Sequence, residues 1–328
     1  MSVNSEIWEQ LLSVFNRLAN LYGNGRPLTT PHLEFAAATN VTRNPATFDP
    51  DFYRSKYADL AKLSPVQLWN HFVNHGIAEG RWGSNYGGRN GLGERLNLGQ
   101  PILEIAPWTS PFFKGPNVKY ADILNNDELL ERAIKVGRES LEIPRMDYLI
   151  SPTNLSDSID EKFEIVASSH VLEHQPNLLE HLRQVGQLLE PRGRYALAIP
   201  DRRYCFDHFK PETTLEDVLL ADHEKRVRHT LESLTASELL RAHNDAGRHW
   251  AGDHGSPLNP EGAKERAQEL YQASLNGYED CHTWFFTPLS FKEIMDQSYS
   301  LGLQPFKVEN LYFTMRDTFE FHAVLAVG

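Results

Sequence analysis

A chain of 328 residues is long enough for one large or two ordinary domains with a buried core. Hydrophobic residues at 41% and charged residues at 23% exclude a disordered, collagenous or coiled-coil chain. Thirty-two Lys and Arg against 44 Asp and Glu leave a net charge of −12, which argues against nucleic acid as a partner and against an anionic membrane surface, while leaving room for a local basic pocket.

In chain order, Ile7, Leu11, Phe15, Leu18 and Tyr22 recur at helical spacing ahead of Gly23, which predicts an amphipathic helix within a connector region 1–46. Its apolar stripe is expected to pack on its own chain, with a homodimer contact as the alternative. Glu6, Glu9 and Arg17 interrupt the segment and no basic leader precedes it, so neither a signal peptide nor membrane insertion is expected.

Residues 47–82 read as a small helical module. Asp49 before Pro50 starts one short helix. Ser64-Pro65-Val66-Gln67 combines a capping box with proline at the first helical position of a second, whose apolar side carries Leu68, Trp69 and Phe72. This stretch resembles the FDxxFYxxxYxDL…HFxxxGxxEGR module found beside glycosyltransferase and methyltransferase domains of bacterial surface-polysaccharide enzymes. The resemblance points to a setting and names no chemistry. Glycines 83, 87, 88, 91, 93 and 99, set among Ser, Asn and Arg, predict a linker or lid over 83–99 and a domain boundary.

From Pro101 onward, short apolar strands alternate with helices. Residues 102–105, 118–122, 163–168 and 195–199 are predicted strands, the last reached from a helix carrying Leu178, Leu182, Val185 and Leu189 through the turn Glu190-Pro191-Arg192-Gly193. Residues 306–314 and 318–327 form two closing strands around Met315-Arg316-Asp317. This pattern predicts an α/β domain over 100–328, a doubly wound, mostly parallel sheet with an antiparallel C-terminal hairpin.

Residues 163–174, FEIVASSHVLEH, the turn Leu188-Leu189-Glu190-Pro191-Arg192-Gly193-Arg194 and the strand ending at Pro200-Asp201 resemble the FDxVxxxxVLEH and LLxPGG segments of class I S-adenosylmethionine-dependent methyltransferases, over residues 95–328. Residues 106–113 and 199–209 are similar to methyltransferase-like proteins associated with polysaccharide assembly. The resemblance implies seven strands, the seventh reversed, and S-adenosyl-L-methionine as cofactor. Its implied cofactor-binding residues are Glu104, Ala106, Pro107, Asp122, Ser169 and His170. Glu104 keeps the acid of the family's first loop, whereas Ala106 stands where glycine is usual and is therefore expected to hold a negative φ. Asp122 matches the acid that accepts the ribose hydroxyls, and a helix cap ahead of Ile123 is its alternative. The adenine contact is expected from backbone, Ser156 or Asp157, while Glu173 and His174 either join the site or brace the next helix.

An insertion over 201–284 follows the fifth strand, where loops build the ligand crevice of such sheets. It carries His208, His223, His229, His243, His249, His254 and His282, half of the chain's 14 histidines. Arg203, Arg228, Arg241 and Arg248 lie among them and suit an anionic acceptor such as an acidic sugar or a phosphorylated glycan. Methylation of a hydroxyl needs a base, for which histidine oriented by aspartate is suited near neutral pH. His208 is favoured because it follows the fifth strand, with Asp207 and His170 as its catalytic companions. Acceptor binding is assigned to Asp201, Arg203, Tyr204, His243, Arg248, His249 and Trp250. Trp250, Trp284, Phe285 and Phe286 stack on a sugar or fill the core. His243, His249 and His254 are nitrogen donors suited to zinc, iron or manganese, yet their spacing matches no tight ligand motif, and no metal is expected.

The reading is an O-methyltransferase acting on a saccharide of a bacterial surface polysaccharide or its precursor. Two other classes stay open: a catalytically silent methyltransferase-like protein that binds a glycan or scaffolds an assembly, and a metal-dependent enzyme built from the histidine-rich insertion. Cys205 and Cys281 are too few for a disulfide framework or a cysteine zinc site, which fits a cytoplasmic setting.

Overall fold

The computed structural model describes residues 46–328, so the helix expected around Ile7 to Tyr22 lies outside the described residues. The Asp49 carboxylate accepts from the amides of Asp51 and Phe52 and starts α1 (Pro50–Lys56). Ser64 and Gln67 cap one another at the start of α2 (Pro65–His71), which runs into a π-turn over Phe72–Gly76. Phe48 lies between these elements, stacked on Phe72 at 5.0 Å between centroids and tilted against Tyr53 at 5.4 Å. Gly76 permits this packing, because a Cβ there would fall 2.2 Å from the Tyr53 hydroxyl.

Where the glycines predicted a linker, residues 89–96 form α3 (Arg89–Leu96). Leu92 and Leu96, one turn apart, enter the core beside Ile102, Phe112, Phe113 and Ile165. The glycines serve close approach: a Cβ on Gly91 would lie 2.1 Å from the Asn85 carbonyl oxygen. Arg95 then donates to the Tyr312 hydroxyl at 2.8 Å, and the Arg316 amide donates to the Gly80 carbonyl, fixing this region to the C-terminal hairpin.

β1 (Ile102–Ile105) is buried along its length, as a central parallel strand must be. With β2 (Val118–Asp122), β3 (Tyr148–Leu149), β4 (Phe163–Ser169), β5 (Leu189–Pro200), β6 (Phe306–Tyr312) and β7 (Glu320–Val327) it makes one seven-stranded sheet of order β3-β2-β1-β4-β5-β7-β6. The first five strands run parallel, and β7 enters antiparallel between β5 and β6. The predicted α/β class, the doubly wound sheet and the reversed last strand are all present. β5 begins earlier than expected, because Leu189 already pairs with Phe163 before the register shifts and resumes at Arg194.

α4 (Asn126–Lys135) follows β2, and α5 (Leu178–Leu188) follows β4 with Leu178, Leu179, Leu182, Val185 and Leu188 buried. The insertion holds α6 (Leu215–His223), α7 (Leu231–Leu239), α8 (Ala246–Trp250) and α9 (Ala263–Ala273), before α10 (Pro288–Ser300) returns to the sheet. Leu234, Ala267 and Cys281 make a small core of their own. Trp284, Phe285 and Phe286 are buried, and Cys205 and Cys281 are free thiols. Among the described residues, no helix is long and apolar enough to cross a membrane.

Candidate active site

Strand order reverses between β1 and β4, and in open α/β sheets ligands bind at the carboxyl ends of strands beside such a reversal. A cavity of about 560 Å³ lies there. Its walls include Ala106, Pro107 and Trp108 after β1, Asp122 at the end of β2, and Ser169 and His170 at the end of β4. Five of the six residues expected to hold a cofactor therefore share one cavity, and Glu104 is the exception.

Glu104 sits behind the loop, fully buried, and its carboxylate accepts the amides of Phe112 at 2.5 Å and Phe113 at 2.9 Å. Burial pushes its pKa up to about 7, although both amide bonds favour the charged form. It shapes the loop rather than facing the cavity. Ala106 departs from expectation: its φ is +52°, and Trp108 follows at +40°. An L-residue held there costs about 1–2 kcal/mol. Glu104 and the bond from the Ala106 amide to the Ala121 carbonyl, 2.7 Å, supply the restraint that missing glycines would have made unnecessary. The Trp108 indole lines the cavity and donates to the Leu129 carbonyl, with the Arg132 and Arg138 guanidinium groups each 5.1 Å from its ring.

Asp122 is buried, and one of its oxygens accepts from the Leu124 amide at 3.0 Å; burial raises its pKa. It does not cap the following helix, since Asn125 performs that role in a capping box with Glu128. Ser169 accepts from Arg89 at 2.6 Å, and Arg89 also pairs with Glu320 at 2.8 Å.

His170 is the third strained residue, at φ +55°. Its Nε2 lies 2.8 Å from Glu320 and its Nδ1 3.3 Å from Glu173. Burial opposes its charge, but these two carboxylates outweigh burial and raise its pKa to about 9. His170 is thus an imidazolium near neutrality, a charged group of the cavity wall rather than a free base. Glu320 is shared with Arg89 and His322, and Glu173 with His174 and His282. A raised pKa gives stability that is fully present below the unfolded value of 6.5 and lost as pH rises through about 9. The unfolding free energy of the wild type is expected to fall over that window by at most about 3 kcal/mol more than that of His170→Asn. Asparagine tolerates the same backbone, so denaturant titrations of both proteins at pH 6 and pH 9.5 isolate this pair; parallel pH profiles would contradict it.

Two further imidazoles line the cavity, each oriented by a carboxylate. His174 Nδ1 lies 2.6 Å from Asp280, and His282 Nδ1 lies 2.6 Å from Asp207. Their Nε2 atoms approach Glu173 Oε1 at 3.8 and 3.9 Å, and the three residues have the donor types and proximity to hold a metal. Asp207 also pairs with the fully buried Lys210 at 2.7 Å. Burial opposes its charge, yet His282 and Lys210 hold the carboxyl well below the usual range.

Asp207, expected to act beside His208, is paired with His282 instead and stands behind the cavity lining. His208, the favoured base, turns the other way: its Nδ1 meets the Arg203 carbonyl at 2.9 Å, its ring stacks on His254 at 3.8 Å, and it does not line the cavity. The expected acceptor residues also lie outside that lining. Asp201 is buried and holds the Arg203 guanidinium and the Thr314 hydroxyl. Tyr204 stacks face to face on Trp250 at 4.0 Å. Arg248 pairs with Asp253 at 2.7 Å, while His243 stacks on the buried His249. The insertion reaches the cavity instead through Cys205, Phe206, Asn244, Tyr278, Asp280 and His282.

No protein-family model and no curated protein sequence matches the chain. Among solved structures, it is similar to an S-adenosylmethionine-dependent methyltransferase from Aquifex aeolicus at 10% identity, covering 81% of this chain and 100% of that one, with a TM-score of 0.34. It is also similar to a 1,6-didemethyltoxoflavin-N1-methyltransferase from Burkholderia thailandensis, bound to 1,6-didemethyltoxoflavin and S-adenosylhomocysteine, at 12% identity, 93% coverage of each chain and a TM-score of 0.35. The strand order and reversed β7 of the present chain make a class I methyltransferase fold.

Proposed function

We propose that the protein is an S-adenosylmethionine-dependent methyltransferase acting on a hydroxyl of a saccharide. The observation that carries this reading is the cavity at the strand reversal, where a buried acid ends β2 and a tightly restrained loop follows β1. The volume falls in the usual range for small-molecule sites. Asp122 would receive the ribose hydroxyls, and Ile150, Pro152 and Leu155 offer an apolar wall for the adenine. The loop at Ala106 would hold the methionyl part. The cofactor, when bound, supplies an electrophilic methyl group on a sulfonium.

The chain's own contribution is alignment and proton removal. Phe206, Asn244 and Tyr278 would seat the acceptor against the inner wall. His282 Nε2 would take the hydroxyl proton as the oxygen bonds to the methyl carbon and the carbon–sulfur bond breaks. Asp207, on Nδ1, fixes the tautomer that leaves Nε2 free. A saccharide is favoured by the likeness of residues 48–82 to modules of polysaccharide enzymes, and the surface setting rests on the same likeness.

Isothermal titration with the cofactor and with S-adenosylhomocysteine tests the reading. Both are expected to bind at one site, and Asp122→Asn is expected to weaken binding roughly tenfold, the value of a charge-assisted hydrogen bond. No heat with either compound would refute methyl transfer. Turnover with a saccharide acceptor separates the enzyme from a silent glycan-binding scaffold.

A further inference from the structure

Outside the cavity, His208 after β5, His249 in α8 and His254 beyond it converge, with one ring nitrogen of each within 4.8 Å of the others. His208 Nδ1 meets the Arg203 carbonyl at 2.9 Å, and His249 Nε2 meets the His243 carbonyl at 3.0 Å. A carbonyl accepts only, so both nitrogens carry hydrogen, and the lone pairs are left on His208 Nε2 and His249 Nδ1. His249 is 2% exposed, and its Nδ1 lies 3.0 Å from His254 Nδ1. A backbone carbonyl on the outer ring nitrogen fixes the tautomer and leaves the other nitrogen free to ligate, as in metal-bound histidines, and His208, stacked on His254 at 3.8 Å, would turn its ring to share one ion with it. His243 stacks on His249 at 4.1 Å, but its nitrogens are engaged by the Asp253 carbonyl and the Asp245 amide.

We propose that His208, His249 and His254 bind one zinc(II) ion, with water as the fourth ligand. Three neutral nitrogen donors suit zinc and disfavour magnesium or calcium, which take oxygen ligands. The ion would tie the loop after β5 to α8, closing the insertion on itself. It would also anchor the residue beside Asp207, the partner of His282.

The competing arrangement is a metal-free chain in which His254 Nδ1–H donates to His249 Nδ1. Elemental analysis of the full chain, dialysed against zinc sulfate and then metal-free buffer, distinguishes them. One zinc per chain is expected in the wild type and in Glu173→Gln, and none in His254→Gln. Chelation is expected to lower the thermal midpoint of the wild type by about 5 °C and leave that of His254→Gln unchanged. Absence of stoichiometric zinc in the wild type, or zinc retained by His254→Gln, overturns the proposal. Zinc that leaves with Glu173→Gln belongs to the cavity cluster and overturns it equally. These readouts use neither cofactor nor acceptor, so they stand apart from the methyl-transfer reading.

Discussion

Changing His282 to glutamine is expected to slow methyl transfer by roughly 10²- to 10⁴-fold, the span that a positioned general base contributes. Glutamine keeps a polar group of similar reach and cannot cycle a proton. Cofactor affinity is expected to stay within about twofold of wild type, since a group acting on the acceptor alone leaves the free-energy difference for cofactor binding unchanged. His174→Gln provides the internal comparison. Its Asp280 partner raises the His174 pKa against the effect of burial, which leaves less of the free base at neutral pH than an unperturbed histidine would have. The smaller loss is expected of His174→Gln, because the proposed step gives the hydroxyl proton to His282. Release of S-adenosylhomocysteine in a single turnover, with a saccharide acceptor, reads both variants. A His282→Gln enzyme with wild-type turnover would assign the proton to another group.

The contrast between His282 and His208 shows why the cavity residues at strand ends were readable and those that the insertion brings there were not. Ala106, Asp122, Ser169 and His170 end strands that the apolar runs locate, and a strand end in a parallel sheet already has an address in space. Asp207 and His282 are 75 positions apart, joined only by the path of the insertion. Adjacency misled in the same place: Asp207 and His208 are neighbours, but the turn sends one side chain to His282 and the other to the Arg203 carbonyl. Ala106 failed for a different reason. A positive φ at alanine is a local cost, and the compensating bonds from Glu104 to Phe112 and Phe113 exist only once the loop has folded back. Glycines over 83–99 suggested a linker because their composition is the same whether they supply flexibility or close backbone contact. The 2.1 Å approach of a would-be Cβ on Gly91 to Asn85 decides for contact.

The pair Asp207 and Lys210 couples this positioning to folding. Lys210 is fully buried, its ammonium 2.7 Å from Asp207 and 4.9 Å from the centre of the Phe285 ring. Removing one member of a buried ion pair leaves the other charge desolvated, so Asp207→Ala is expected to cost about 3–5 kcal/mol of stability. Lys210→Met should cost less, because Asp207 keeps His282 at 2.6 Å. The double variant Asp207→Ala/Lys210→Met carries no stranded charge and is expected to recover most of the single-variant loss, giving a coupling energy of about 2–3 kcal/mol in denaturant titrations. Additive losses would mean the pair is not coupled. Activity should follow a different course: stability returns in the double variant, but His282 still lacks the carboxylate that orients it. Methyl transfer is expected to stay low there even at full folding, and its recovery alongside stability would reduce Asp207 to a purely structural residue.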